Sequence, residues 1–234
     1  LKYNIKVIYI QKGGEKDSRL SNVAKNCIHC VFNSKQPHGE VYSCISYWVH
    51  GNDGKYPVVP YMINLPTDDR NIREKLKIPT DAVVFGGYGG SGSFNIKFVQ
   101  NVVYKVAKDN PNIYFLFANF KKFCANLPNI IHLPMITELN DKVAFINSCD
   151  AMLWARRSGE TFGAAIAEFS TLNKPVIATK VGCWDLAHIY LLGDKGIWYS
   201  NEGDLTDILL NFNPVTECQK DWNAYREYTP EKVM

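Results

Sequence analysis

The run ARRSGETFGAAIAEFSTLNKPVIATKVGCWD, residues 155–185, passes from a charged loop into a helix and then into an apolar strand. An apolar segment, CDAMLW at 149–154, ends just ahead of it. Arg156, Arg157, Ser158, Gly159 and Glu160 follow as a loop, and a helix is predicted to start around Phe162-Gly163. Its first turn carries only Gly163, Ala164 and Ala165, so no bulky side chain obstructs the N–H groups there. Unpaired donors and the positive end of the helix dipole make such a turn an anion site. Glu160 lies just before the turn, and Glu168 about one and a half turns into the helix. Taken singly, Glu160 reads as a capping carboxylate and Glu168 as a solvated one. Two carboxylates beside an anion site would repel a bare diphosphate, so together they fit uncharged groups such as sugar hydroxyls.

Outward from this run, short apolar segments alternate with amphipathic ones. Strands are predicted at 5–10, 27–32, 57–61, 82–86, 113–118, 129–133, 149–154, 175–179 and 196–199. Helices are predicted at 69–77, 94–107, 138–148, 162–172 and 203–211. The strands are mostly unbroken β-branched or aromatic runs, the mark of a parallel sheet covered on both faces. Strand–helix alternation implies an open α/β fold with right-handed crossovers. A boundary falls near NLPTDDRNIREKLKIPTDA, separating 1–78 with three strands from 79–234 with six. Ligands of such sheets bind beyond the carboxyl ends of the strands. The loops after 86, 118, 154 and 179 are therefore the candidate site.

One of these loops is VVFGGYGGSGSFNIKFV, residues 83–99, which contains G-x-G-x-x-G at Gly87, Gly89 and Gly92. A dinucleotide fingerprint needs an acidic residue at the end of the next strand. That strand ends in Ala118-Asn119, and Asp109 precedes it. No Gly-Lys-Ser/Thr follows either, which excludes a Walker loop. Three readings remain: a dinucleotide loop at Gly87, Gly89 and Gly92 that lacks its supporting acid, a plain flexible turn, and a loop whose backbone approaches another phosphate ahead of a helix N-terminus.

The 234 residues are 46% hydrophobic and 21% charged, as expected of a packed core. A net charge of +3 with no arginine-rich stripe excludes a nucleic-acid partner. Seven scattered cysteines read as reduced thiols of a cytoplasmic protein. Cys27-Ile28-His29-Cys30 has zinc-knuckle spacing but no second pair, and alternation in a strand sends His29 away from Cys30. No metal is therefore expected. No apolar run approaches the roughly 20 residues of a membrane span, and no signal peptide is visible. Beginning at Leu1 and almost at once entering a strand, the chain reads as part of a longer one.

The run Glu160-Thr-Phe-Gly-Ala-Ala-Ile-Ala-Glu168, with KPVIAT at 174–179, resembles the E-x-F-G-x-x-x-x-E…K-P-V-I-A-T signature of retaining GT-B glycosyltransferases, in particular family 4. The resemblance implies an α/β fold of two Rossmann-like units with parallel sheets. Residues 1–78 would be a partial acceptor-side unit, reduced or truncated, and 79–234 the nucleotide-sugar donor unit. It implies transfer of a sugar from a nucleotide-diphosphate donor, a UDP- or GDP-sugar, to a sugar or glycan acceptor, with retention and without a metal. Glu160 would stand by the donor sugar and Glu168 on the ribose. The backbone of Phe162, Gly163 and Ala164, with the loop at Gly86, Gly87 and Gly89, would receive the diphosphate.

In that family an Arg and a Lys after the first donor-unit strand hold the diphosphate. Here Gly87 takes the Arg position, and the Lys position falls among Gly92, Ser93 and Phe94. Lys97, Arg156 and Arg157 are the candidate replacements. If none serves, the chain is a catalytically impaired nucleotide-sugar-binding module. His38, between Pro37 and Gly39, is a candidate proton carrier, expected to be exposed at a carboxyl end facing the cleft.

Overall fold

The computed structural model describes residues 4–50 and 55–234. The chain opens with β1 (Val7–Lys12), β2 (Lys25–Cys30) and β3 (Val41–Cys44), a parallel sheet in that order, followed by the short α1 (Tyr47–His50). The larger part begins with β4 (Val83–Tyr88), α2 (Lys97–Asp109), β5 (Ile113–Ala118), β6 (Ile130–Leu133) and α3 (Leu139–Asn147). It continues through β7 (Ala151–Leu153), β8 (Gly159–Glu160), α4 (Ala164–Thr171) and β9 (Val176–Thr179). β10 (Asp185–Leu186), α5 (Ala187–Leu192), β11 (Gly196–Tyr199), α6 (Glu202–Asn211), α7 (Pro214–Glu217) and α8 (Pro230–Val233) complete it.

Six of these strands form one parallel sheet in the order β11-β9-β7-β4-β5-β6, while β8 and β10 pair as a separate two-residue ribbon. Counted within the sheet, this is the doubly wound order 3-2-1-4-5-6. The order reverses between β4 and β7, where Phe85 faces Ala151 and Gly86 faces Met152. A crevice therefore opens beyond the carboxyl ends of these two strands, and it is the ligand position such sheets favour.

Why the strands read as unbroken apolar runs is visible in the core. Val84, Leu116, Met152 and Val176 point into one buried cluster with Phe145 and Phe169. Their neighbours Phe85, Phe115, Leu153 and Ile177 point into a second, with Val99, Val103 and Leu205. Successive side chains alternate between faces, and helices cover both. Helix α2 buries Val99, Val102, Val103 and Val106, each contributing roughly 1.5–3 kcal/mol of gross driving force.

Most predicted elements appear within a few residues of their expected bounds, but two do not form, and several short ones, among them β3, α5 and the β8–β10 ribbon, were not expected. Segment 57–61 is not a strand: Pro57 and Pro60 lack an N–H, and only a single bridge, Cys44 to Val58, forms. Segment 69–77 is a series of turns, ending with Lys77 at φ 56°. The third strand of the first sheet is instead β3, whose four residues were too few to show a period. No disulfide forms among the described residues, and Cys30 Sγ lies 3.5 Å from Cys44 Sγ across neighbouring strands.

Candidate functional site

The loops that leave β4 and β7 are tied together across the point where the sheet order reverses. Asn95 N donates to Ala155 O (2.9 Å), and Arg157 N donates to Asn95 Oδ1 (2.8 Å). Asn119, at the end of β5, donates to Gly89 O at 2.7 Å and fixes the third loop. Between them lies a cavity of about 170 Å³ walled by Tyr88, Ser93, Trp154, Arg156, Glu160 and Ala164. A second of about 170 Å³ meets it at Tyr88 and Gly89 and is walled by Asn119, Met135, Ile136 and Lys142.

Glu160 belongs to the first cavity. Trp154 Nε1 donates to its Oε1 (3.0 Å) and Arg156 Nη1 to its Oε2 (2.9 Å). Burial raises its pKa, and Arg156 and the Trp154 hydrogen bond work against that rise. Trp154 is itself held by His188, whose ring centroid lies 4.4 Å away. Burial lowers the His188 pKa to about 4, which leaves the ring neutral.

Glu168 is in the lining of neither cavity and meets them through its partners, Tyr88 of both and Lys142 of the second. Lys142 Nζ donates to its Oε1 at 2.9 Å, and the Tyr88 hydroxyl donates to Oε2. The Glu168 and Lys142 side chains are 14% and 19% exposed, so the pair is largely withdrawn from water and weakly screened. Burial, then the Glu168 charge, hold the Tyr88 pKa well above the ordinary phenol value, so its proton stays on. Lys142, Tyr88 and Trp154 were not singled out in the sequence. Each meets its carboxylate only through the fold, and no local pattern marks it.

The turn into α4 is built as the small residues required. Gly163 adopts φ 84°, which glycine alone reaches without strain, and no side chain caps the helix. Ala164 is exposed and borders the first cavity, whereas Phe162 is buried and turned away from it. The Phe162 ring packs against Tyr61, Tyr225 and Tyr228, and its carbonyl accepts from the Tyr225 hydroxyl at 2.9 Å. Only its backbone belongs to the turn.

Gly87 has a plain steric reason. It lies inside β4, and a Cβ there would sit 2.9 Å from the Leu153 carbonyl oxygen and 3.5 Å from Phe120. This strand spacing closes the position to an arginine. Gly86 is likewise within β4, while Gly89 follows the strand and borders both cavities.

The other cation candidates are dispersed. Arg156 enters the crevice, but Arg157 is exposed, and of its groups the loop ties down the backbone N–H. Lys97 is exposed at the start of α2, close enough to Cys124 to influence its thiol, and does not wall the crevice. His38 departs from its expected exposure: it is 7% exposed, with Nδ1 2.7 Å from Gln36 O. The loop doubles back, Glu40 N bonds Asn26 O, and His38 lies by the amino end of β2 instead of the carboxyl end. Among the described residues, no group of three or more His, Cys, Asp or Glu could hold a metal. None of their helices is long and apolar enough to cross a membrane.

No protein-family model and no curated protein sequence matches the chain. Its architecture does match solved structures. HepE of Anabaena, solved with UDP-glucose, superposes with a TM-score of 0.66 at 14% identity, over 90% of this chain and 70% of HepE. TarM gives 0.64 at 11%, over 97% of this chain and 53% of TarM. WaaG, a glycosyltransferase of lipopolysaccharide biosynthesis, gives 0.53 at 16%, over 87% and 58%. The fold is that of the GT-B glycosyltransferases, and the chain spans little more than half the length of TarM and WaaG.

Proposed function

We propose that the chain carries the donor site of a glycosyltransferase that moves a sugar from a nucleoside-diphosphate donor to an acceptor with retention, in the manner of family 4. One observation carries this reading. Glu160 and Glu168 flank an uncapped helix N-terminus at the point where the sheet order reverses. The diphosphate lies against the N–H groups of Gly163, Ala164 and Ala165. The ribose reaches Glu168, and the sugar lies by Glu160. The second cavity, at Met135 and Ile136, takes the base.

The bond from the anomeric carbon to the terminal phosphate breaks with its electron pair on the phosphate oxygen. The acceptor oxygen bonds the same face, and its proton passes to the phosphate. Helix donors and the Arg156 guanidinium, already placed, stabilise the charge growing on the leaving oxygen. This needs no metal, so chelation leaves turnover unchanged.

Arg156 and Lys142 are both ion-paired within the chain, to Glu160 and Glu168. That favours a second reading, in which the site binds nucleotide sugars without turning them over. Thermal stabilisation by millimolar UDP or GDP supports both readings. Release of nucleoside diphosphate to a glycan acceptor, with the product anomer read by NMR, supports the first alone. If no nucleoside diphosphate or its sugar shifts the melting temperature, both are wrong.

A further inference from the structure

A cavity of about 520 Å³ lies outside the donor crevice, walled in part by Ile45, Trp48, Val58, Phe162, Tyr190 and Tyr228. Cavity and crevice back onto the same ribbon. In β8, Glu160 turns to the crevice, while in its partner β10, Asp185 Oδ1 accepts from Trp48 Nε1 at 3.2 Å. Phe162 follows β8 and α5 follows β10 directly into the cavity wall. A group seated here is therefore one ribbon away from the proposed sugar position.

Among the described residues, the lining holds no Asp, Glu, Lys, Arg, His, Asn or Gln. One of its few hydroxyls, Ser46 Oγ, is already used by Val49 N at 3.3 Å. A bare pyranose buried here meets side-chain hydroxyls of Ser46, Tyr47, Tyr190 and Tyr228 alone among the described lining, and each of its own hydroxyls left without a partner costs roughly 1–3 kcal/mol. An apolar group meets no such penalty. Trp48 and Tyr190 stack with centroids 5.8 Å apart and 29° between planes, and Tyr190 is 71% exposed, so the pair presents a ready aromatic wall.

The geometry points to this cavity as the seat of an apolar aglycone, the aromatic or aliphatic group attached to the acceptor. Calling it part of the acceptor rests on the glycosyltransferase reading above, while its preference for apolar groups does not. Calorimetric titration with methyl, 4-nitrophenyl and n-octyl β-D-glucosides tests it, on the wild type and on Tyr190→Ala. Tyr190 is exposed enough for this replacement to leave the fold intact, which the unliganded melting temperature checks.

At least one apolar glucoside binds tenfold or more tighter than the methyl glucoside. Tyr190→Ala weakens that glucoside at least fivefold and leaves stabilisation by UDP or GDP unchanged. A stronger nitrophenyl response means a planar aglycone, and a stronger octyl response an aliphatic one. Equal binding of all three, or no effect of Tyr190→Ala, overturns the assignment. Aglycone selectivity without any nucleotide response sinks the donor reading instead.

Discussion

Replacing Gly87 by alanine places one carbon against the backbone of a neighbouring strand. The new Cβ lies 2.9 Å from Leu153 O, where ordinary contact begins near 3.4 Å. The backbone of Gly87 is not left-handed, so the whole effect is steric. Relief requires β4 and β7 to part, and overpacking of this kind costs about 1–3 kcal/mol. In a chain of this size each kcal/mol lowers the melting temperature by about 2–4 °C, so the fall is about 2–12 °C. Gly92→Ala is the control: a Cβ there meets nothing within 4 Å, and its change stays within about 0.5 kcal/mol. Gly87→Arg carries the same Cβ and a longer chain, so it loses more stability and gains no turnover. Thermal melts followed by circular dichroism, with nucleoside-diphosphate release assayed in parallel, measure both. If Gly87→Arg melts with the wild type and turns over faster, the strand spacing does not exclude the arginine and the steric argument is wrong.

Three further outcomes follow from the same geometry. Glu168→Gln weakens nucleoside-diphosphate binding about 10- to 100-fold, the loss of a charged hydrogen bond to ribose. Calorimetry with UDP and 2′-deoxy-UDP checks it, and Tyr88→Phe, which frees one carboxylate oxygen, reduces the discrimination between the two. Arg156→Met lowers kcat about 10²- to 10³-fold and, by removing the charge that opposes burial, moves the acid limb of the pH–rate profile toward higher pH. His188 holds a folded pKa of about 4 against 6.5 free, so its contribution is full above pH 6.5 and is lost as pH falls toward 4. That loss amounts to roughly 3 kcal/mol, and His188→Gln, which keeps a donor for Thr179 O, flattens the fall in melting temperature between pH 7 and 4.5.

The six-stranded sheet was legible because its inner strands are buried on both faces: IYFLFA needs no context to be recognised, and the half-buried edge strand GIWY also keeps its expected bounds. The turn at Gly163 was legible because small residues and a left-handed glycine are local requirements. Lys142 was not, since it reads as a polar residue of α3 until the fold brings it to Glu168. His38 misled for the complementary reason. A Pro-His-Gly turn says that the chain reverses, not which end of the sheet receives the ring. Gly87 shows a third limit: the sequence exposed a missing arginine, but the carbonyl that bars it comes from a strand 66 residues later.

The proposed function requires that the crevice between β4 and β7 hold a nucleoside diphosphate. A crystal structure with bound UDP or GDP tests it most directly. Phosphate oxygens are expected within hydrogen-bond reach of the Gly163–Ala165 amides, and ribose hydroxyls on Glu168. A nucleotide seated elsewhere, or turned so that its ribose leaves Glu168 untouched, would contradict it.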